Sequence, residues 1–256
     1  MRYFLVGVGG GDGAMRDALM RRPVGDGIVA ENASWSFAGV GETFTDHVRR
    51  SVPLYDESHD LICRISDYFI NNGSVAYDLG TSTGQLLAKL AARHQSKSGV
   101  TFIGIDHEES MIKRARCAAS HLKNVKLEVA DINVWEYQPC DLIVSCYTIQ
   151  FVPPRIRQDL INTIYRSLNW GGAFLLFEKV RAPDARFQDI CTGTYNDFKL
   201  ENGFSEVEII NKSRSLKGIL EPFSTEGNLG LLRRAGFQDI MTVLKYVPFE
   251  GFLAIK

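Results

Sequence analysis

The sequence has few cysteines and almost no net charge, and each feature excludes a class of protein. The five cysteines are scattered and never form a CxxC pair, which argues against a disulfide framework and against a zinc site. The net charge of −1 shows no overall excess of basic residues. We therefore expect no bound metal, no direct nucleic-acid binding and a reducing, cytoplasmic environment.

Long apolar runs and internal repeats are also lacking. No apolar segment approaches the roughly 20 residues that cross a bilayer, and the first residues lack the features of a signal peptide. We therefore expect no membrane partner. With 256 residues, 45% of them hydrophobic, the chain has enough material for one large α/β domain with a sizeable core.

A regular alternation of helical and strand-like patterns begins near residue 60. The strand-like runs are short, apolar and rich in β-branched and aromatic residues, and they cover 75–79, 100–106, 125–131, 141–147 and 173–179. Helical spacing of apolar residues is found over 59–70, 84–94, 109–122 and 155–168. This alternation predicts βαβ units and a parallel sheet with helices on both faces.

The sequence after this alternation changes character. A turn at 169–172 is predicted to feed the fifth strand, and 183–204 is polar with one helix. A helix ending at a glycine is predicted over 229–237. The last segment, 238–256, has the pattern of two strands joined by a Pro-containing turn. We therefore predict a hairpin at the carboxyl-terminal end of the sheet.

A strand followed by a glycine-rich turn and a helix is indicated twice, at 3-YFLVGVGGGDGAM-15 and at 75-VAYDLGTSTGQLL-87. In a doubly wound sheet the ligand lies at the carboxyl ends of the strands, and glycine lets it approach the backbone closely. In the second stretch, Gly80 and Gly84 flank three hydroxyl residues, and Asp106 ends the next strand 22 residues after Gly84. A carboxylate at that position is suited to accept hydrogen bonds from ribose hydroxyls.

The end of the third predicted strand adds a second acidic position. Asp131 lies where a carboxylate can reach an adenine amino group, and Ile132 beside it can pack on the ring. His107 follows Asp106, and its position favours contact with the nucleoside over catalysis. These residues predict that the second glycine-rich stretch, and not the first, holds a nucleoside.

The first glycine-rich stretch has less support. It is followed by a helix-like run at 14–22 and a strand-like run at 27–31, but the segment ends near residue 35, before a third strand. Two strands do not make a stable sheet alone. We interpret residues 1–35 as a glycine-rich extension that is mobile or docks on the main domain, residues 36–256. A lid or a second ligand site is the alternative.

Four motifs, in order and at suitable separations, resemble class I S-adenosylmethionine-dependent methyltransferases; they cover 77–85, 104–115, 129–132 and 166–179. The resemblance implies a Rossmann-like α/β fold, with a mostly parallel seven-stranded sheet, a C-terminal antiparallel hairpin and helices on both faces. It implies S-adenosyl-L-methionine or S-adenosyl-L-homocysteine as the ligand. The cofactor-binding residues that it implies are Asp78, Gly80, Thr81, Ser82, Gly84, Asp106, His107, Met111, Asp131 and Ile132.

Over about residues 35–256 the chain is also similar to the carboxy-S-adenosyl-L-methionine synthases, tRNA-modification enzymes of bacteria that build a carboxylated cofactor from S-adenosylmethionine and prephenate. The segments that carry this similarity are 49–55, 141–154, 197–209 and 233–237. It implies that Tyr55 and Cys146 contact the cofactor, that Arg214 binds the additional carboxylate, and that the protein is a homodimer. Two positions depart: Cys146 replaces an asparagine of the family, and an ungapped match puts Ser213 at the family's arginine.

The candidate catalytic residues are Tyr147, Tyr195 and Arg214. Methyl transfer is an in-line attack on a sulfonium carbon, so the enzyme chiefly aligns its reactants. Tyr147 follows the fourth strand, and Tyr195 lies in the polar segment that can cover a substrate pocket. Arg214 belongs to a basic patch, and its guanidinium suits a carboxylate. The plainer alternatives are packing for Tyr147, an exposed helix for Tyr195 and a solvated surface for Arg214.

Three functions remain open on this basis. We predict first an S-adenosylmethionine-dependent methyltransferase with a small-molecule substrate, because the cofactor-binding set is complete while Cys146 and Ser213 depart from the synthases. The second is synthesis of carboxy-S-adenosyl-L-methionine. The third is a non-catalytic cofactor-binding subunit, suggested by the unusual amino terminus and the lack of an evident catalytic base.

Overall fold

The computed structural model describes residues 22–37 and 43–256. Its main sheet contains β3 (Val75–Leu79), β4 (Thr101–Asp106), β5 (Val125–Val129), β6 (Cys140–Cys146), β7 (Leu168–Lys179), β8 (Asp239–Tyr246) and β9 (Phe249–Ile255). The helices are α1 (Phe44–Ser51), α2 (Tyr55–Ser66), α3 (Gln85–Arg93), α4 (Glu109–Ala118), α5 (Pro154–Ser167), α6 (Ala185–Glu201), α7 (Glu206–Ser215) and α8 (Thr225–Ala235). A separate hairpin contains β1 (Arg22–Gly25) and β2 (Ile28–Ala30).

The seven strands of the main sheet lie in the order β5-β4-β3-β6-β7-β9-β8. The first five are parallel, and β9 is antiparallel to both of its neighbours. This confirms the predicted Rossmann-like sheet with its C-terminal hairpin. The chain order reverses between β3 and β6, and a doubly wound sheet opens a crevice for ligands at such a point.

Strand β7 begins five residues before the predicted start of the fifth strand, at Leu168 instead of at residue 173. Cys140 pairs with Leu168, whereas Leu142 pairs with Ala173, so the intervening residues bulge out of the sheet. The predicted turn at 169–172 is this bulge. It stays attached to the sheet because the amide of Gly171 donates a hydrogen bond to the carbonyl of Lys256 at 2.8 Å.

The core lies on both faces of the main sheet because side chains of a strand alternate between its faces. Phe174 and Leu176 of β7 pack with residues of α5 and α8 on one face. Leu175 and Phe177 pack with residues of α2, α3 and α4 on the other face. Among the described residues, no helix has the length and apolarity required to cross a bilayer.

Residues 22–37, which we call the amino-terminal strap, pack against α7. The amides of Ala33 and Trp35 donate hydrogen bonds to the carbonyls of Arg214 and Ser215 at 2.9 and 3.1 Å. The predicted strand at 27–31 is found as β2. The first glycine-rich stretch, and the helix-like run at 14–22 apart from its last residue, lie outside the described residues. The division of the chain at residue 35 stays a prediction.

Candidate cofactor and substrate site

A cavity of about 1180 Å³ lies at the carboxyl ends of β3, β4, β6 and β7. Ligand pockets usually measure about 300–1,000 Å³, so this volume has room for two small molecules side by side. All predicted site residues except Gly84 line it: Tyr55, Asp78, Gly80, Thr81, Ser82, Asp106, His107, Met111, Asp131, Ile132, Cys146, Tyr147, Tyr195 and Arg214. The structure therefore brings together residues that are up to 159 positions apart in the sequence, from Tyr55 to Arg214.

The loop after β3 is held tightly against its neighbours. The amides of Gly80 and Thr81 donate hydrogen bonds to the carbonyl of Ile105 at 2.8 and 3.0 Å. Gly80 has φ +72°, and a Cβ there would lie 2.2 Å from Oγ1 of Thr148. Any larger residue would displace the loop, so glycine is required at this position.

Gly84 lies behind the cavity wall. It precedes the first residue of α3 with φ +77°, and a Cβ there would be 3.0 Å from that of Ala115 on α4. The close packing of these two helices explains the glycine without any ligand. Its contact with the cofactor stays a prediction.

Two carboxylates lie together beneath this loop. Asp78 is 2% exposed and accepts a hydrogen bond from Oγ1 of Thr81 at 2.7 Å. Asp106 accepts hydrogen bonds from the amides of Ser82, at 2.9 Å, and Glu108, at 3.0 Å. Burial and, secondarily, the Asp106 carboxylate raise the pKa of Asp78 to about 7.

These carboxylates give this end of the cavity an excess of negative charge. Within the described ranges, neither Asp78 nor Asp106 forms an ion pair with a lysine or an arginine. The imidazole of His107, which is largely exposed, is 3.7 Å from Asp106. Such a site favours a cationic ligand and disfavours a phosphate.

The wall beyond Asp106 is apolar at its base and polar at its rim. Met111 and Ile132 are 1% and 8% exposed, and the hydroxyl of Ser82 lies 3.6 Å from the Met111 sulfur. Asp131 is exposed and accepts hydrogen bonds from the amide and the side chain of Asn133 at 2.9 and 2.7 Å. A flat nucleobase, which has apolar faces and polar edges, fits this arrangement.

Two tyrosines and a cysteine line the middle of the cavity. Tyr147 has φ +59°, and its hydroxyl lies 3.4 Å from that of Ser58. The ring of Tyr55 lies 4.4 Å from the imidazole of His59. Burial raises the pKa of both phenols and of the Cys146 thiol, so all three groups are protonated at neutral pH. They can donate hydrogen bonds, but they are not thiolate or phenolate nucleophiles.

The other end of the cavity carries two lysines that sequence reasoning missed. The ammonium groups of Lys179, at the end of β7, and Lys199, on α6, lie 4.4 and 4.3 Å from the ring centre of Tyr195. The Tyr195 hydroxyl donates to the carbonyl of Ser51 at 2.7 Å, which fixes the ring. In the part of the chain that the structure describes, no carboxylate pairs with either lysine.

Burial lowers the pKa of both lysines to about 8. The charge of Arg181 lowers the pKa of Lys179 further, and that of Lys179 lowers the pKa of Lys199. An anion between the two ammonium groups would neutralise this repulsion. The sequence did contain a signal, because Lys179 closes a predicted strand and Lys199 follows Tyr195 by four residues on a predicted helix.

Gln150 connects the two groups of site residues. Its side-chain oxygen accepts the amide of Lys179 at 2.9 Å, and its nitrogen donates to the carbonyl of Tyr147 at 3.2 Å. Both ends of the side-chain amide are therefore bonded to backbone groups, so Gln150 fixes the positions of Tyr147 and Lys179 relative to each other. Arg214 is exposed at the rim of the cavity.

Comparison with known proteins agrees with this geometry. A family profile described as a methyltransferase domain matches residues 76–172. Carboxy-S-adenosyl-L-methionine synthase of Sulfurimonas denitrificans is 39% identical over 222 residues, which cover 85% of this chain and 92% of that protein. The enzyme of the same name from Staphylococcus epidermidis is 36% identical over 224 residues, 87% of this chain and 97% of the relative.

Solved structures show the same fold at lower sequence identity. The S-adenosylmethionine-dependent methyltransferase SibL superposes with a TM-score of 0.59 at 16% identity, over 86% of this chain and 59% of that chain. Human N-acetylserotonin methyltransferase, in complex with S-adenosylmethionine, gives 0.58 at 16% identity, over 85% and 56% of the two chains. The fold is that of S-adenosylmethionine-dependent methyltransferases.

Proposed function

Because this chain belongs to the carboxy-S-adenosyl-L-methionine synthase family, we propose that it transfers a carboxyl group from an anionic small molecule to S-adenosyl-L-methionine. The product would be carboxy-S-adenosyl-L-methionine. The resemblance described above implies prephenate as the carboxyl donor. One observation carries the proposal: two lysines, which have no carboxylate partner among the described residues, lie in the same cavity as the Asp78 and Asp106 carboxylates.

The negatively charged end of the cavity fits S-adenosyl-L-methionine. Asp78 and Asp106 are close to each other, and burial already raises the pKa of Asp78, so a nearby positive charge stabilises both ionised carboxylates. S-adenosyl-L-methionine carries a sulfonium and an ammonium group and no phosphate. In this proposal Asp106 binds the ribose hydroxyls, while Met111 and Ile132 pack on the adenine ring.

The positively charged end fits the carboxyl donor. Lys179 and Lys199 flank Tyr195, and each would form a charge-assisted hydrogen bond with a carboxylate of the donor. Tyr195 is held by Ser51, so the two ammonium groups keep a fixed position relative to the cofactor. Fixed placement of two reactants is the main contribution of an enzyme to such a reaction.

In this proposal, S-adenosyl-L-methionine would supply the sulfonium methyl carbon that receives the carboxyl group. The bond between the prephenate ring and its carboxyl group would break, the ring hydroxyl would leave with the methyl proton as water, and the ring would become aromatic, so the transfer balances without an oxidant. The residues of this chain hold both molecules and keep their own protons at neutral pH. The phenols of Tyr55 and Tyr147 and the thiol of Cys146 line the space between the two ends. Because their pKa values are raised, they donate hydrogen bonds to the reacting groups and do not compete as nucleophiles.

Methyl transfer to an anionic small molecule is the second candidate, and one feature favours it. Cys146 stands at the position where the synthases carry a cofactor-contacting asparagine. A thiol donates a hydrogen bond weakly, so the contact made by an amide is lost. The same lysines would then orient a methyl acceptor in place of a carboxyl donor.

A single experiment separates the candidates. Purified protein is incubated with S-adenosyl-L-methionine and prephenate, and the nucleoside products are identified by mass spectrometry. A product heavier than S-adenosyl-L-methionine by one carboxyl group supports the proposal. Appearance of S-adenosyl-L-homocysteine together with a methylated acid, with prephenate or with an extract of acidic metabolites, supports the second candidate. Cofactor binding without either product indicates a non-catalytic subunit. For lysine variants of the cavity, the matched control is Lys123→Met, because Lys123 is exposed and does not line the cavity.

A further inference from the structure

We propose that Lys212, held against the indole ring of Trp35, forms a carboxylate-binding subsite in the cavity, separate from the Lys179 and Lys199 pair. The proposal rests on the proposed function only for the identity of the molecule that carries the carboxylate. Two sources fit the same chemistry: the amino-acid carboxylate of the cofactor and a carboxylate of the second substrate.

The Lys212 ammonium group lies over the indole ring of Trp35, and both residues line the cavity. Across residues 22–37 and 43–256, no carboxylate forms an ion pair with Lys212. Glu208, one helical turn earlier on α7, is engaged elsewhere, because it accepts hydrogen bonds from the amide and the hydroxyl of Ser205, both at 2.8 Å. Among the described residues, the Lys212 ammonium group therefore has an aromatic face as a close partner and no carboxylate.

Burial lowers the pKa of Lys212 well below the ordinary value for a lysine. The contact with the Trp35 ring offsets part of the lost hydration, because an aromatic face carries partial negative charge. A carboxylate entering the cavity would provide the counter-charge that the described residues do not. Charges that are shielded from water in proteins are generally paired with an opposite charge, and a bound carboxylate would pair with Lys212 in this way.

Trp35 is itself held from several sides. It is 7% exposed, and its ring stacks on His47 with centroids 6.2 Å apart and an interplanar angle of 21°. Its amide donates to the carbonyl of Ser215 at the end of α7. His47 in turn is hydrogen-bonded to Asp26 of the amino-terminal strap at 2.8 Å. The strap thus delivers a rigid aromatic surface to the cavity and fixes the ammonium group on it.

This position is electrostatically distinct from the first lysine pair. Burial alone lowers the pKa of Lys212, whereas the neighbouring cation that lowers the pKa of Lys199 is Lys179. Arg214, two residues further along α7, is exposed at the rim. An ion pair there would be weakened by water, so Lys212 is the stronger anchor for a carboxylate.

Lys212→Met tests the subsite without any turnover, by isothermal titration calorimetry with three probes. S-adenosyl-L-homocysteine carries the amino-acid carboxylate, 5′-methylthioadenosine lacks it, and malonate stands in for a dicarboxylate substrate, titrated with 5′-methylthioadenosine present. We expect the affinity for S-adenosyl-L-homocysteine or for malonate to fall about ten- to hundredfold. The affinity for 5′-methylthioadenosine should be unchanged, which also shows that the nucleoside site is folded.

The probe whose affinity for Lys212→Met falls identifies the molecule that carries the carboxylate. Lys212→Arg should recover much of the lost affinity, and Trp35→Phe should lose a smaller part of it, because phenylalanine is a weaker partner for a cation. Unchanged affinity of Lys212→Met for both carboxylate probes would overturn the proposal, and so would equal weakening of all three. Because no reaction is measured, failure of the carboxylation assay leaves this result interpretable, and failure here leaves that assay untouched.

Discussion

The two ends of the cavity are built in opposite ways. The acidic end, which we call the cofactor end because we propose that the cofactor binds there, takes its acidic groups from successive strand ends, with Asp78 on β3 and Asp106 on β4. The basic end, which we call the substrate end on the same proposal, takes its basic groups from separate elements, Lys179 from β7 and Lys199 from α6, with Ser51 of α1 fixing the ring between them. Among the described residues, the acidic groups have no lysine or arginine partner and the two lysines have no carboxylate partner.

The difference shows how charge separates two ligands that share one cavity. A cationic nucleoside and an organic anion are each attracted to one end and repelled from the other, so each has one favourable orientation relative to its neighbour. The tyrosines between the ends are uncharged, because burial keeps their phenols protonated. Changes at one end should therefore leave binding at the other end nearly intact, and the following predictions test this independence.

Asp106→Ala should have the largest effect, and it should act on the cofactor end. The variant loses the predicted hydrogen bonds to the ribose and the contacts that hold Ser82 and Glu108. Hydrogen bonds to a charged group contribute about 1.5–3 kcal/mol each, so affinity for S-adenosyl-L-homocysteine should fall about a hundredfold or more. Calorimetry measures this loss. Asp131→Ala is the matched control with a smaller expected loss, and unchanged affinity of Asp106→Ala would contradict the assignment of the cofactor end.

Lys199→Met should have the second-largest effect, and it should change binding at the substrate end alone. Removing the Lys199 ammonium group leaves Lys179 without its neighbour across the Tyr195 ring, so KM for the anionic substrate should rise about ten- to hundredfold. Affinity for S-adenosyl-L-homocysteine should stay within about twofold, as in Lys123→Met. An equal loss at both ends would show that the two halves of the cavity are not independent.

The pH dependence of kcat/KM gives a separate test of the two lysines at the substrate end. Lys179 and Lys199 have pKa values lowered to about 8, so their ammonium groups lose their protons as the pH rises through about 8. Only the protonated forms attract an anion, so kcat/KM for the anionic substrate, measured with the cofactor saturating, should fall about tenfold per unit or more above pH 8. Binding of 5′-methylthioadenosine should show no such fall.

Two variants show which titrating group causes the fall in kcat/KM above pH 8. Arginine stays charged across this range, so Lys199→Arg should move the decline to higher pH or make it shallower. Burial also raises the pKa of Glu178 to about 8, and this carboxyl titrates in the same range. Glu178→Gln should retain the decline. If it abolishes the decline, then Glu178 and not the lysine pair is responsible.

Tyr195→Phe should have the smallest effect. It removes the hydrogen bond to Ser51 but keeps the ring between Lys179 and Lys199. The loss of one hydrogen bond is expected to cost about 1 kcal/mol, which lowers Tm by about 2–4 °C in a domain of this size. KM for the anionic substrate should change by less than that of Lys199→Met. A larger rise would mean that the hydroxyl contacts the substrate directly.

The sequence was sufficient for the sheet and for the cofactor end because both depend on local patterns. Short apolar runs rich in β-branched and aromatic residues, separated by stretches with helical spacing, identified β3 to β6 to within about two residues at each end. In parallel strands the carboxyl ends meet at one edge of the sheet, so Asp78 and Asp106 had to lie near each other once the strands were assigned. In a doubly wound sheet, the order of the strands in the sequence therefore indicates which strand ends line the site.

The early start of β7 was not predictable in the same way. The residues at 169–172 have turn chemistry, but Leu168 pairs with Cys140, and backbone hydrogen bonds between Lys256 and residues Gly171 and Gly172 hold the bulge. A contact between residues so distant in sequence leaves no local pattern. The same limit applied to the strap, whose docking on α7 depends on carbonyl groups 181 and 180 residues away, from Ala33 to Arg214 and from Trp35 to Ser215.

By itself, the sequence determined the α/β architecture and the acidic end of the cavity, since strand periodicity and the residues that close each strand are encoded locally. The tertiary structure alone decided the basic end. Whether a lysine is a solvated surface charge or an anion-binding group depends on its burial and on the absence of a nearby carboxylate, and both depend on residues from other elements. Lys179, Lys199 and Lys212 have their character because the folded chain partly removes them from water without giving them a negative partner among the described residues.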